Sequence, residues 1–92
     1  GNHVTIHANT VIGGDSFYYK KRNGAYEKMV TAGSTVIEDD VEIGSLTTID
    51  RGVSADTRIG AGTKIDNHVQ VGHDTLIGKN CLIASQAGIS GA

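Results

Sequence analysis

The sequence predicts an all-β protein, a parallel β-helix built from six-residue units. Branched aliphatic residues recur at every sixth position near the end of the chain, at Ile59, Ile65, Val71, Ile77, Ile83 and Ile89. Small or short side chains stand two residues before all but the first of these, at Thr63, Val69, Thr75, Cys81 and Ala87. Neither a helix nor simple strand alternation has a period of six, so each unit is a short strand followed by a three-residue corner.

The strands are expected at the following places along the chain. Two of them open the sequence at residues 4–6 and 10–12. The six-residue spacing is then lost, and we interpret about residues 13–35 as one long loop excursion, with Asn23-Gly24 as a candidate β-hairpin turn. The spacing resumes at residues 36–37, 41–43 and 47–49. A four-residue insertion separates Ile49 from Ile59, and from there the repeat is unbroken.

Counting the units predicts which residues stack. If three units make one coil, residues eighteen apart lie above one another once the insertions are left out. Ile12, Ile49, Val71 and Ile89 then form one column. The excursion, the insertion and His73 all fall at the corner that follows this column. Asp50 and Arg51 are then expected about one coil, roughly 5 Å, below His73. Because exceptions to a regular scaffold often carry function, we expect a site along this edge.

The composition limits the classes of function. The chain has 92 residues, a formal net charge of −2, 13 glycines and no Pro or Trp, which suits a single repeat domain over residues 1–92. No Lys and Arg stripe with interleaved aromatics is present, so nucleic acid is not expected as a partner. No transmembrane segment or secretion signal is expected either, and the predicted location is the cytoplasm. The lone cysteine, Cys81, is predicted to be a buried core thiol.

Several motifs carry a resemblance to a known family. They are Thr-Thr-Ile-Asp-Arg-Gly at residues 47–52, Asp-Asn-x-x-Gln-x-x-His at residues 66–73, and the aromatic segment Gly14–Tyr19. Together they resemble the core of the UDP-3-O-(3-hydroxyacyl)glucosamine N-acyltransferases of the lipid A (lipopolysaccharide) pathway, within the hexapeptide-repeat acyltransferases. In that family the aromatic segment is closer to Asp-Gly-Phe-Gly-Tyr.

The resemblance implies a left-handed parallel β-helix that forms a homotrimer with active sites in clefts between subunits. It implies transfer of a 3-hydroxyacyl chain from the phosphopantetheine of acyl carrier protein to the 2-amino group of a UDP-3-O-acyl-glucosamine, with no other cofactor. His73 aligns with the general base, and Asn67 and Gln70 align with residues that line the donor cleft. The family's N-terminal uracil-binding domain and C-terminal helical segment have no counterpart in these 92 residues, so we interpret the chain as a fragment.

The chemistry of His73 supports the same assignment independently. Amide formation from a thioester needs a base near the attacking amine, and imidazole titrates in the useful range. Asp74 or a neighbouring carboxylate is expected to set its tautomer; otherwise His73 is a solvated corner residue. Phe17, Tyr18 and Tyr19 either pack over a cleft or contact the sugar and acyl chain, or they anchor the excursion onto the helix wall. Phe17, Tyr19 and Arg51 are candidate substrate-binding residues. The basic run of residues 20–22 contacts phosphates or an acidic carrier protein, or is a solvated tip.

Three alternatives remain open at this point. The first is another hexapeptide acyl- or acetyltransferase that acts on a nucleotide amino sugar, and the second is a non-catalytic trimeric β-helix. The third is a zinc hydratase of the γ carbonic anhydrase type, because His68 and His73 are five residues apart. Three protein ligands are needed for such a zinc ion, and no histidine occurs at residues 30–38, so no metal site is expected. The outward residues Leu76 and Leu82 are exposed by chance or face another subunit or an apolar substrate.

Overall fold

The computed structural model describes residues 1–91 and shows an all-β chain of short strands. In order, the strands are β1 Thr5–Ile6, β2 Val11–Gly14, β3 Tyr19–Arg22, β4 Ala25–Lys28, β5 Thr35–Ile37, β6 Glu42–Ile43, β7 Thr48–Asp50, β8 Thr57–Ile59, β9 Lys64–Ile65, β10 Gln70–Val71, β11 Leu76–Ile77, β12 Leu82–Ile83 and β13 Gly88–Ile89. No helix long and apolar enough to cross a membrane occurs within residues 1–91.

Three parallel sheets form the sides of a prism. Sheet 1 has the order β1-β6-β9-β12, sheet 2 the order β2-β7-β10-β13, and sheet 3 the order β5-β8-β11. Successive strands of the repeat pass from one sheet to the next, so three units complete a coil, which is the topology of a parallel β-helix. The predicted column is confirmed, because Ile12 pairs with Ile49, Ile49 with Val71, and Val71 with Ile89.

The core consists of the inward rows of the repeat. Its buried apolar members are at most 3% exposed: Val41, Ile43, Ile49, Ile59, Ile65, Val69 and Val71. Burial of each such side chain stabilises the fold by about 1.5–3 kcal/mol. The row of short residues also makes hydrogen bonds, since the Thr47 hydroxyl donates to the Asp66 carbonyl at 2.9 Å and the Thr63 hydroxyl to the Gly78 carbonyl at 2.8 Å. These bonds fasten each corner to the coil beside it.

The corners share one backbone conformation. The third corner residue has a positive φ throughout, at His3, Asp40, Gly62 and Asn80 between sheets 3 and 1, at Asn9, Leu46, His68 and Gln86 between sheets 1 and 2, and at Asp74 between sheets 2 and 3. Glycine, asparagine and aspartate tolerate this region, whereas Leu46 with φ 56° is less usual there. The left-handed third residue turns the chain into the next sheet and leaves the second corner residue on the outside of the prism.

The segment between β2 and β5 contains an antiparallel hairpin of β3 and β4. Its two-residue turn is Asn23-Gly24, with φ values of 50° and 78°, so the hairpin predicted there is present. Every residue of β3 and β4 is exposed. The segment is fixed to the prism at its base, where Ser16 is 1% exposed and its hydroxyl donates to the Arg51 carbonyl.

The last described coil is less well buried than the sequence predicts. Ile77, Ile83 and Ile89 are only partly buried, and the prediction of a buried Cys81 is wrong, since this thiol is partly exposed. The physical reason is that no strand within residues 1–91 pairs with β11, β12 or β13 on the far side. Leu76 and Leu82 point outward as expected and are 76% and 83% exposed.

Candidate active site

His73 occupies the second corner position between β10 and β11, on the edge between sheets 2 and 3. Its Nδ1 lies 2.9 Å from Asp74 Oδ2, and the two side chains are 17% and 14% exposed. The Tyr18 ring lies beside the imidazole, with 5.6 Å between centroids and an interplanar angle of 32°. The carboxylate expected to orient His73 is therefore Asp74, and an aromatic ring supports the imidazole as well.

Asp74 is held in several directions. Its carboxylate accepts hydrogen bonds from the Val53 and Ala55 backbone N–H groups at 3.1 and 3.0 Å, and its own N–H donates to the Thr57 hydroxyl at 2.9 Å. Burial acts to raise the pKa of Asp74, but the hydrogen bonds from His73, Val53 and Ala55 outweigh it and hold that pKa below its ordinary value. An ionised carboxylate only accepts, so Nδ1 of His73 is the nitrogen that donates to Asp74, and in the neutral tautomer this leaves the lone pair on Nε2.

A cleft of about 570 Å³ opens beside His73. Its lining comes from the hairpin segment, from β7 and β10, and from the end of the described chain: Phe17, Asp50, Gln70, Gly72, His73, Ser90 and Gly91. A side chain on Gly91 would overlap the His73 ring at Nε2. The absence of that side chain leaves room for the imidazole at the cleft wall.

Asp50 brings a second carboxylate to this cleft. It ends β7, directly after the inward Ile49, and it is partly buried. Burial raises the pKa of Asp50, against the opposing effects of a hydrogen bond with Gln70 and of the charge of His73. The sequence placed Asp50 beside Arg51 but did not identify it as a site residue. Its position after Ile49, in the same column as Val71, was the available signal.

Two of the predicted substrate-binding residues, Gln70 and Phe17, lie in the His73 cleft. Tyr19 does not line that cleft; its ring packs edge-on against Phe17, with 5.2 Å between centroids and an interplanar angle of 66°. Together with Tyr26, these two rings line a neighbouring apolar cleft on the hairpin. Phe17 therefore connects the aromatic cleft to the one that contains His73.

Arg51 and Asn67 are not brought to His73 within one chain. Arg51 Nε donates to the Gly33 carbonyl at 2.9 Å, and its side chain lines a different cleft with Asp15 and Lys28. Asn67 lies on the edge between sheets 1 and 2, where its Oδ1 accepts a hydrogen bond from the Ser45 N–H at 2.8 Å. The sequence missed these directions because side chains at corners and insertions do not follow the repeat.

The other histidines considered, His7 and His68, lie in different surroundings from His73. A cleft on the face of sheet 1 is lined by His7, Glu42, Lys64 and Leu82 among others, and there His7 Nε2 lies 3.2 Å from a carboxylate oxygen of Glu42, which is about half exposed. His68, the histidine considered as a zinc ligand with His73, lies on another edge of the prism. Across residues 1–91, no three side chains of His, Cys, Asp or Glu form a group suited to a metal ion.

Comparison with known proteins bears on this geometry. Residues 56–91 match the family described as bacterial transferase hexapeptide (six repeats). The whole chain is 52% identical to a UDP-3-O-acylglucosamine N-acyltransferase of Methylobacterium nodulans and 50% identical to one of Rhodopseudomonas palustris, of which it covers 26% and 25%. A relative of the same name from Methylacidiphilum infernorum is 52% identical over 94% of the chain and is covered over 24% of its length.

The chain thus spans about a quarter of the length of the curated relatives it matches. The aligned span includes the first strands, the hairpin segment and the regular repeat, because both alignments cover all 92 residues. The resemblance predicted from the motifs is therefore confirmed: residues 56–91 match the hexapeptide transferase family, and the whole chain is similar to part of the UDP-3-O-acylglucosamine N-acyltransferases.

Proposed function

We propose that this chain is the β-helix of an N-acyltransferase that moves a 3-hydroxyacyl chain from acyl carrier protein to the 2-amino group of a UDP-3-O-acyl-glucosamine. The names of the relatives specify an N-acyl transfer and a UDP-3-O-acylglucosamine. The observation that carries the proposal in this chain is the His73–Asp74 pair at 2.9 Å, on the wall of a cleft large enough for small-molecule groups.

In this proposal His73 is the general base. Asp74 keeps the proton on Nδ1, so the lone pair of Nε2 accepts a proton from the ammonium group of the acceptor and leaves the free amine. The amine nitrogen then attacks the thioester carbonyl, the C–N bond forms and the C–S bond breaks. Of the two protons that the ammonium group loses, one goes to the departing thiolate and the other to solvent. Gln70 and Phe17 line the same cleft and are the proposed substrate contacts there.

The proposal includes a left-handed coil and a homotrimer with the active sites between subunits. In a threefold ring each subunit presents two different surfaces to its neighbours. The Asn67 edge of one subunit then faces the His73 edge of the next, which reconciles a donor-binding role for Asn67 with its distance from His73 in the single chain. The exposed Leu76 and Leu82 supply apolar surface for such contacts.

The test is acyl transfer by the chain, assayed with 3-hydroxyacyl carrier protein and UDP-3-O-acyl-glucosamine. We expect transfer by the wild type and a loss of at least about a hundredfold in His73→Asn, because general-base catalysis contributes 10²–10⁴-fold. His3→Asn is the matched control, since the His3 side chain is 85% exposed at another corner. A mutant that keeps more than a tenth of the wild-type rate would remove His73 from the role.

The same assay separates the alternatives. Transfer from acetyl-CoA in place of acyl carrier protein would favour a different hexapeptide acetyltransferase. A folded wild type that transfers no acyl group from either donor would favour the non-catalytic β-helix.

A further inference from the structure

Asp50 stands in an unusually open column of the prism. It pairs with Gly14 in the coil below, and Gly72 follows Val71 in the coil above, where Val71 pairs with Ile49. Among the described residues that line the His73 cleft, Asp50 is the one with an acidic side chain. Gly14 does not crowd the carboxylate, since even a methyl group built on it would lie 3.8 Å from Asp50 Oδ1.

No Lys or Arg side chain of the described residues forms an ion pair with this carboxylate, and the only charge found to act on it is that of His73 in the same cleft. Within residues 1–91 the ion pairs of Lys and Arg join Arg22 to Glu27, Lys28 to Asp15, and Arg58 to Glu38 and Asp56. Arg51, the nearest arginine in sequence, directs its Nε to the Gly33 carbonyl instead. The neutral amide of Gln70 lines the same cleft and acts to lower the pKa of Asp50.

Asp50 and Asp74 therefore differ in how many carboxylate lone pairs remain available to a ligand. Asp74 is occupied by His73 and by two backbone N–H groups, so it has little capacity for a ligand. Asp50 lines the cleft that also contains His73 and Gln70, and its carboxylate oxygens offer lone pairs to a ligand there. A partly buried carboxylate without a Lys or Arg partner favours a ligand that brings a positive charge and N–H donors.

We propose that Asp50 binds the protonated amino group of the acceptor and so selects an amine over a hydroxyl as the acyl acceptor. This inference rests on the proposed function. The carboxylate holds the ammonium group in the cleft, and His73 removes a proton from it before the nitrogen attacks the thioester. Asp50 is in this account a substrate-binding residue that determines specificity, and its own protonation state does not change during the reaction.

Binding to the wild-type chain tests the inference without any mutation. UDP-glucosamine carries an amine at carbon 2, and UDP-glucose carries a hydroxyl there. Carboxyl ¹³C NMR of Asp50 should show a titratable shift with UDP-glucosamine and a much smaller one with UDP-glucose. An equal response to both probes, or no response to either, would overturn the role of Asp50.

Kinetics of Asp50→Asn provide the second test, because asparagine keeps the shape and removes the charge. We expect KM for the amine acceptor to rise at least about tenfold, with KM for the acyl carrier protein donor unchanged. The matched control is Asp40→Asn, an exposed carboxylate at a different corner. The binding preference for UDP-glucosamine over UDP-glucose should also fall at least about tenfold in Asp50→Asn.

The outcomes distinguish this inference from the proposed function. If His73→Asn abolishes transfer while Asp50→Asn keeps the wild-type KM for the amine acceptor, the function stands and the role of Asp50 is refuted. If the wild type prefers UDP-glucosamine but transfers no acyl group, the proposed function fails while the binding role of Asp50 is upheld.

Discussion

The edge of the prism that carries His73 differs from the other two edges. Between sheets 3 and 1, and between sheets 1 and 2, each corner is three residues long and has its positive φ at the third residue. Between sheets 2 and 3 the corners hold the hairpin segment after β2, the insertion after β7, and finally the regular corner with His73 and Asp74. Asp74 binds the insertion through Val53 and Ala55. The repeated units form the prism, and the insertion holds Asp74 of the acid–base pair in place.

The largest expected effect tests the frame itself. Ile49 is fully buried at the centre of the column that joins Ile12 and Val71, so Ile49→Ala should lower the free energy of unfolding by about 2–5 kcal/mol. Urea unfolding followed by circular dichroism measures this. The matched control is Leu76→Ala on the outer surface, where the expected change is below about 0.5 kcal/mol in the monomeric chain. Equal losses in the two variants would contradict the inward and outward assignments.

A second prediction concerns the link between the insertion and His73. Asp74→Asn removes the charge that orients the imidazole and weakens the bonds from two backbone N–H groups, so we expect acyl transfer to fall by at least about a hundredfold. The free energy of unfolding of Asp74→Asn should be lower than that of wild type by about 1–3 kcal/mol at neutral pH. Steady-state rates and urea unfolding provide the two readouts. Wild-type transfer by Asp74→Asn would show that His73 does not depend on this carboxylate.

A third prediction uses pH to compare the two carboxylates on this edge. The pKa of Asp74 is lowered by folding, so its contribution to stability is full above the ordinary aspartate pKa of 3.8 and is lost as the pH falls through the lower folded value. The pKa of Asp50 is raised by folding, so protonation of Asp50 on acidification favours the folded state. The two directions differ because hydrogen bonds outweigh burial in lowering the pKa of Asp74, whereas burial dominates at Asp50 and raises its pKa.

Urea unfolding between about pH 7 and pH 3 measures this difference. Relative to wild type, Asp74→Asn should lose less stability on acidification, and Asp50→Asn should lose more. Identical pH slopes in wild type and both variants would refute the stated pKa directions.

The smallest expected effect tests whether the exposed hairpin contributes to the frame. Replacement of residues 19–28 by a short Gly-Ser linker removes β3 and β4 but keeps the buried Ser16 and the backbone bonds of Ala32 and Gly33. We expect the midpoint of urea unfolding to change little, because all eight strand residues are exposed. A loss of cooperative unfolding would show that the hairpin supports the prism.

The inward columns were predictable from the sequence because burial imposes a strict period, as the pairing of Ile12, Ile49, Val71 and Ile89 shows. The place of His73 followed from the same count. The directions of the Arg51 and Asn67 side chains could not be predicted from that count. They are set by hydrogen bonds to Gly33 and Ser45 in neighbouring coils. The burial of Cys81 was overestimated because a position in the repeat does not reveal whether another coil covers it.

The most direct test of the account is ¹⁵N NMR of the His73 ring in the folded chain, at a pH where the imidazole is neutral. We expect Nδ1 to carry the proton and to donate it in a hydrogen bond to Asp74, with Nε2 unprotonated at the cleft, and we expect Asp74→Asn to remove this preference. A ring protonated at Nε2 in the wild type, or a tautomer unaffected by Asp74→Asn, would contradict it.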